Sequence, residues 1–97
     1  MKWKGKIMEK LTFQKDNRNY IRELQQDEFG YYGKAIDRLA AIEDLYEDLK
    51  KQEQEIAVRL AKFHRERKTK GYMFQETLAL KTLNDKLLNL LASHGIK

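Results

Sequence analysis

From Lys34 to Lys70, between Gly33 and Gly71, the chain has no glycine and no proline, and it holds an apolar heptad through most of that length. Ile42, Leu49, Ile56 and Phe63 recur seven residues apart; Leu39, Tyr46 and Leu60 fill intervening positions, with Glu53 the one polar member. Apolar residues spaced alternately three and four apart make a stripe along one side of a helix, and the stripe needs a surface to pack against. One long helix with an obligatory companion is therefore the first expectation.

The companion is close by. Thr69-Lys70-Gly71 reads as a turn, and a second helix is expected over about 72–94. Met73, Leu80 and Leu87 with Leu83 and Leu90 are expected to form its packing stripe, widened by Phe74, Leu78, Leu88 and Leu91. Gly95 stands where a helix-ending left-handed residue is wanted, and Ile96 where the Schellman motif places a contact back to about Leu91. Two helices joined by a short turn pack antiparallel. The fold class expected is mainly α: a long antiparallel, coiled-coil-like helical hairpin over 34–97, with the first helix at about 34–68 and the turn at 69–71.

The exposed side of the first helix offers Glu47–Lys51, Glu55–Arg59 and Glu66–Lys70 as i,i+4 pairs, each worth a few tenths of a kcal/mol. Its weak point is Lys50-Lys-Gln-Glu-Gln-Glu55, where the stripe lapses. A continuous helix is expected there, with a break into two as the alternative. At 1.5 Å per residue the first helix would be roughly 50 Å long and the second roughly 33 Å. The second can then cover the first back to about Asp48 only. Ile36, Leu39, Ile42 and Leu45, with Tyr46 and Leu49 at the margin, form a face that must be covered otherwise. Leaving such side chains wet forfeits roughly 1.5–3 kcal/mol each. The cover expected is the N-terminal segment (Leu11, Phe13, Tyr20, Ile21, Leu24, Phe29) together with the same face of a second copy, making a homodimer.

Residues 1–33 form a separate basic and aromatic segment. Leu11-Thr-Phe13 and Tyr20-Ile-Arg-Glu-Leu24 flank the polar Lys15-Asp-Asn-Arg-Asn19, which signals a β-hairpin; a short helix over Asn19–Asp27 is the alternative. Phe29-Gly-Tyr-Tyr-Gly33 is an aromatic joint whose glycines permit a change of direction. Trp3, Tyr20, Tyr31 and Tyr32 concentrate aromatic surface here, by default for packing over the long helix. Met8 opens a second plausible start, so residues 1–7 are expected to be loosely ordered.

Composition narrows the chemistry. With no Cys there is no disulfide, thiolate nucleophile or Cys-based zinc site. His64 and His94 are thirty residues apart and would sit at opposite ends of the hairpin, so no shared metal site is expected. Ser93, the only serine, has no base except its sequence neighbour His94. Glu43, Asp44, Glu47 and Asp48 lack the Glu-x-x-His partners of a helical metal bundle and read as a solvated face. No catalytic residue, metal, cofactor or small-molecule substrate is expected. No apolar region follows MKWKGKI, and no window approaches the roughly 20 residues that span a bilayer. A cytoplasmic protein is expected.

Charge is segregated along the first helix. Residues 43–55 hold six acidic and two basic residues, net −4, whereas 57–70 hold six basic and one acidic, net +5. The macrodipole alone favours this order, and antiparallel self-association that pairs the two blocks is a second structural account. The functional reading is a tip that binds phosphate or an acidic partner: Arg59, Lys62, His64, Arg65, Arg67, Lys68, Lys70 and Tyr72. Nucleic acid remains an alternative ligand, with Tyr72, Phe74 and His64 placed to stack, although no helix-turn-helix, zinc-finger or basic-zipper spacing occurs.

Met8-Glu-Lys-Leu-Thr-Phe13, followed by Lys34-Ala-Ile-Asp-Arg-Leu-Ala-Ala-Ile-Glu-Asp44, resembles the opening of small accessory proteins of phages and prophages of Gram-positive bacteria. Those begin MEKLT, carry a variable, often hairpin-like insert, and continue with a K-x-I-x-x-L-A-x-Y-E-D helix start. The resemblance covers residues 8–44. It ends where Leu45-Tyr-Glu-Asp-Leu49 extends the helix in place of the family's stopping Gly or Pro. It implies a mobile-element accessory protein in a bacterial host cytoplasm and supplies no functional residues. The expected function is non-enzymatic: binding and modulating a host protein, most concretely inhibiting a host defence system in the manner of an anti-CRISPR. The alternatives are a nucleic-acid binder using 59–70 and an assembly protein acting by helix oligomerisation.

Overall fold

A computed structural model describes residues 8–97. The MKWKGKI lead-in and Trp3 lie outside the described residues. The chain divides into two compact units, one ending at Ala41 and the other running Ile42–Lys97.

In the first unit β1 (Thr12–Lys15) pairs antiparallel with β2 (Arg18–Ile21), Phe13 opposite Tyr20 and Lys15 opposite Arg18. Asp16 and Asn17 make the two-residue loop with φ of 54° and 64°. Positive φ at both positions is the turn whose twist matches that of the flanking strands, and Asp and Asn tolerate it because their side chains bond locally. The Phe13 and Tyr20 rings stack at 5.7 Å, and the Arg22 guanidinium lies 4.5 Å from the Phe13 centroid. The β-hairpin expectation holds. The alternative helix over Asn19–Asp27 does not form; its residues complete β2 and begin a second hairpin.

That second hairpin joins β3 (Gln25–Asp27) to β4 (Gly30–Tyr32), with Gln25 opposite Tyr32 and Asp27 opposite Gly30. The Phe29 amide donates to Asp27 Oδ1 at 2.8 Å, and Gly30 at φ 131° carries the positive dihedral that closes the loop. The aromatic joint is therefore a strand pair rather than a simple hinge. Gly33 (φ 137°) follows, and its carbonyl accepts from the Asp37 amide at 3.0 Å, opening α1 (Lys34–Arg65). Lys34 pairs with the Glu9 carboxylate at 3.5 Å, and the Arg38 guanidinium donates to the Glu9 carbonyl. These two contacts tie the strand-leading segment to the start of α1.

The second unit holds the rest of α1 and α2 (Tyr72–Ser93). α1 is continuous through Glu53; the break does not occur. It ends at Arg65 rather than near Lys68 because Lys68 N–H donates to Phe63 O at 2.9 Å and Arg67 N–H to His64 O at 3.2 Å. That bond pair is a Schellman motif, with Arg67 in the left-handed conformation at φ 55°. The connection is accordingly 66–71, longer than the expected turn. α2 ends in a second Schellman motif, Ile96 N–H to Leu91 O and Gly95 N–H to Ala92 O, both 2.9 Å, with Gly95 at φ 88°. Gly95 and Ile96 take the roles expected of them.

The helices run antiparallel: Phe63 meets Phe74 edge to face at 5.8 Å, and Asn84 Nδ2 donates to Leu49 O at 3.2 Å. The buried seam consists of Leu49 and Ile56 from α1 with Phe74, Thr77 and Asn84 from α2. On α1 this is the expected stripe, with Ile42, Tyr46, Leu60 and Phe63 half-buried along it. On α2 it is not. Met73, Leu80, Leu83, Leu87 and Leu90 are exposed, and the residues expected only to widen the stripe, Phe74, Leu78, Leu88 and Leu91, face α1 with Asn84. The physical reason is the lapse at Glu53. Half-buried Glu53 lines a small cleft with Ile56, Ala57, Lys81, Asn84 and Asp85. A polar layer on α1 is met by a polar layer on α2, so the α2 seam is the heptad that contains Lys81 and Asn84. Leucines opposite Glu53 would further desolvate its carboxylate, whose hydrogen-bond partner is Lys50 on its own helix.

The ion pairs differ from expectation too. Among the described residues of this unit they are Lys50–Glu53 at 2.9 Å, Lys81–Asp85 at 2.6 Å and Lys68–Glu66 at 3.9 Å. Glu66–Lys70 is ruled out as a helical pair because α1 has already ended.

Candidate functional site

The last turn of α1, the 66–71 connection and the first turn of α2 form the end of the hairpin, and the expected tip residues gather there. Arg59, Lys62, Arg65, Arg67, Lys68 and Lys70 are all exposed. Helical spacing places Lys62 and Arg65 on the side of α1 away from the seam, with Arg59 and His64 on its two flanks. The left-handed Arg67 turns the chain and sets Lys68 and Lys70 between the helix ends. Glu66 is the only acidic residue of the block, and its single ion pair is the long contact to Lys68.

The aromatic members separate into two roles. Phe74 is buried and packs on Phe63 and, edge to face at 5.6 Å, on His64. Phe74 is therefore core, and the His64 ring is held against it rather than free to stack on a ligand. Tyr72 is 81% exposed, one position beyond Gly71, and Met73 beside it is also exposed. Gly71 gives α2 no side-chain cap, and the first turn of α2 has no acidic residue. The partial positive charge of that helix start thus adds to the lysines and arginines around it.

The other expected face, along the start of α1, is unevenly covered. Leu49 is buried; Ile36, Ile42 and Tyr46 are half-buried; Leu39 and Leu45 are exposed. By the observed contacts the end of α2 comes level with the region around Asp44, about one turn beyond the Asp48 limit expected from length alone.

Two features escaped the sequence reading. The first is the exposure of the α2 stripe of Leu80, Leu83, Leu87 and Leu90, which was expected to pack on α1; Leu83 and Leu90 are 55% and 57% open to solvent. The second is a cleft of about 580 Å³ in the first unit, lined by residues of both hairpins and the α1 start, including Phe13, Ile21, Arg22, Tyr32 and Lys34. No cluster of three or more His, Cys, Asp or Glu that could hold a metal occurs among the described residues. No helix among them is long and apolar enough to cross a membrane.

The polar layer has the clearest electrostatics in the hairpin. A hydrogen bond to Glu53, and that carboxylate's charge, hold the Lys50 ammonium above the ordinary lysine range. Asp85 does the same for Lys81, with a smaller contribution from Glu53 across the seam. Comparison with protein-family models, with curated proteins and with solved structures gives no match.

Proposed function

We propose that the chain is a non-enzymatic binding protein whose hairpin end docks on an acidic surface of a bacterial host protein and modulates it. One observation carries this reading: six exposed cations, opposed by a single acidic residue, share one end of the two-helix hairpin with an exposed tyrosine. Tyrosine and arginine are the side chains that most often anchor interfaces, because they combine contact area with directed polar groups. The arm is coiled-coil-like in its heptad spacing, which gives the tip a fixed direction and lowers the ordering cost of docking. The likeness of residues 8–44 to phage and prophage accessory proteins supports a host cell as the setting. Inhibition of a host defence system, in the anti-CRISPR manner, is the most concrete form of that role. The net charge of +5 argues against mimicry of DNA, which requires an acidic surface.

The test is capture from a Gram-positive lysate with the native chain and with Arg65→Glu/Lys68→Glu. The reading expects one stoichiometric acidic protein, retained at about 150 mM salt and lost with the double variant, whose circular dichroism should be unchanged. Equal capture by both proteins removes the tip from the reading. If nuclease treatment abolishes capture, and naked nucleic acid shifts in a gel at low salt with the native chain only, the tip is a phosphate binder instead.

A further inference from the structure

We infer that the exposed leucine stripe of α2 is covered by the α2 of a second copy, packed antiparallel about a two-fold axis. α2 carries two heptads one residue apart, hence roughly 100° apart around the helix. One, through Phe74, Thr77, Asn84, Leu88 and Leu91, is occupied by α1. The other runs Met73, Glu76, Leu80, Leu83, Leu87, Leu90 in alternating three- and four-residue steps, and all its members are exposed. Two faces at about a right angle are what a helix presents to two neighbours in a four-helix bundle.

Four observations select a second copy in this orientation. First, alternating three- and four-residue steps are the spacing that lets helices interdigitate over several turns, and an identical helix supplies the matching stripe. Second, the antiparallel register that sets Leu80 of one copy on Leu83 of the other uses every member: Met73 faces Leu90, and Glu76 faces Leu87, each twice by symmetry. Third, this register brings Glu76, the one acidic residue in the stripe, beside Lys86 of the second copy, the basic residue preceding Leu87. A parallel register would set Glu76 against Glu76. Fourth, the same alignment puts the basic block around Lys62–Lys70 of one copy level with the acidic block around Asp44 of the other, so the segregated charges of α1 complement rather than repel. Besides Lys86, the edge of the stripe away from α1 is formed by the uncharged Ala79 and Ser93, so a chain of net charge +5 meets its copy on a nearly neutral surface. This contact differs from the dimer face expected at Ile36–Leu49.

Light scattering or sedimentation of the full chain should give the mass of two chains at micromolar concentration, and Leu83→Glu/Leu87→Glu should give one chain with helical circular dichroism retained. A single-chain mass for the native protein at about 100 µM overturns the proposal, as does a two-chain mass for the double leucine variant. Orientation is read by charge exchange. Glu76→Lys and Lys86→Glu should each weaken the dimer roughly three- to tenfold, and the two together should restore it. Cysteine placement, in a chain that has none, supplies a readout independent of those variants. Met73→Cys mixed with Leu90→Cys should be joined by a short bis-maleimide, whereas Met73→Cys alone should not; the converse result overturns the antiparallel register.

Discussion

Asn84 is the residue on which the hairpin's register turns. It is 3% exposed, its amide nitrogen reaches the Leu49 carbonyl, and its own Oδ1 is buried without a partner among the described residues. A buried unsatisfied carbonyl costs roughly 1–3 kcal/mol, so the residue is not there for stability. What it supplies is alignment. A polar group in a mainly apolar seam disfavours registers that would surround it with apolar side chains alone, here those that move it away from the Leu49 carbonyl and Glu53. Asn84→Leu should therefore raise the thermal midpoint, by roughly 4–8 °C for each kcal/mol recovered, while broadening the amide spectrum as alternative alignments become populated. A midpoint unchanged or lowered would show that the Leu49 bond outweighs the orphaned oxygen. Asn84→Asp should destabilise at neutral pH and recover as the pH falls, because burial raises a carboxyl pKa and protonation relieves the desolvated charge. The neighbouring lysines act at the other end of the scale. With pKa values raised in the folded state, what Lys50 and Lys81 contribute is complete below the ordinary lysine range and is lost only as pH climbs through the raised values.

At the level of elements, the two helix ends use one device with different residues. Both are Schellman motifs, but α2 places Gly95 at the left-handed position and α1 places Arg67 there. For an L residue that conformation costs roughly 1–2 kcal/mol, and glycine escapes it. Arg67→Gly should thus stabilise the hairpin by roughly 1 kcal/mol while removing a cation from the tip, and Gly95→Ala should destabilise by a similar amount; chemical denaturation measures both. A destabilised Arg67→Gly chain would mean that the arginine side chain contributes more than its backbone strain costs. The same contrast explains what could be foreseen. Gly95 announces a helix end because glycine marks the conformation, whereas Arg67 hides one, and α1 was expected to continue to Lys68. The α1 seam was legible because its heptad is the only one on that helix. On α2 two heptads compete, and the more hydrophobic of them, with four leucines, is the exposed one; counting apolar residues selects the wrong face. The decisive signal was the Glu53 lapse, which calls for Lys81 and Asn84 opposite. β3 and β4 gave no alternation to read, being three-residue strands of Gln-Gln-Asp and Gly-Tyr-Tyr. The tip is foreseeable as a cluster of cations, but it takes the packing of the two helices to divide Phe74 and His64, which lie against each other, from exposed Tyr72.

For the whole molecule, the distribution of buried surface predicts where stability resides. Leu49, Ile56 and Phe74 are the buried apolar side chains among the described residues, each still slightly exposed, and all belong to the unit beginning at Ile42. The hairpins of the first unit have Leu11, Phe13 and Ile21 half-covered and almost everything else exposed. Two-stranded ribbons are marginal in water even when their turns are well made. Amide exchange should therefore be graded. Protection should be greatest along about 46–63 and 74–91, where opening requires separation of the helices, and least in Gln25–Tyr32, with Thr12–Ile21 intermediate owing to its longer strands and the stacked Phe13–Tyr20 pair. Exchange measured residue by residue by NMR decides the matter. If Thr12–Ile21 were as protected as Leu49–Leu60, the strand segment would be part of the cooperative core, and stability would not reside chiefly in the helices. If the grading holds, the first unit can yield to sequence variation or to a ligand without loosening the helical arm. A chain of this size can then combine a cooperative helical hairpin with a more adaptable strand segment.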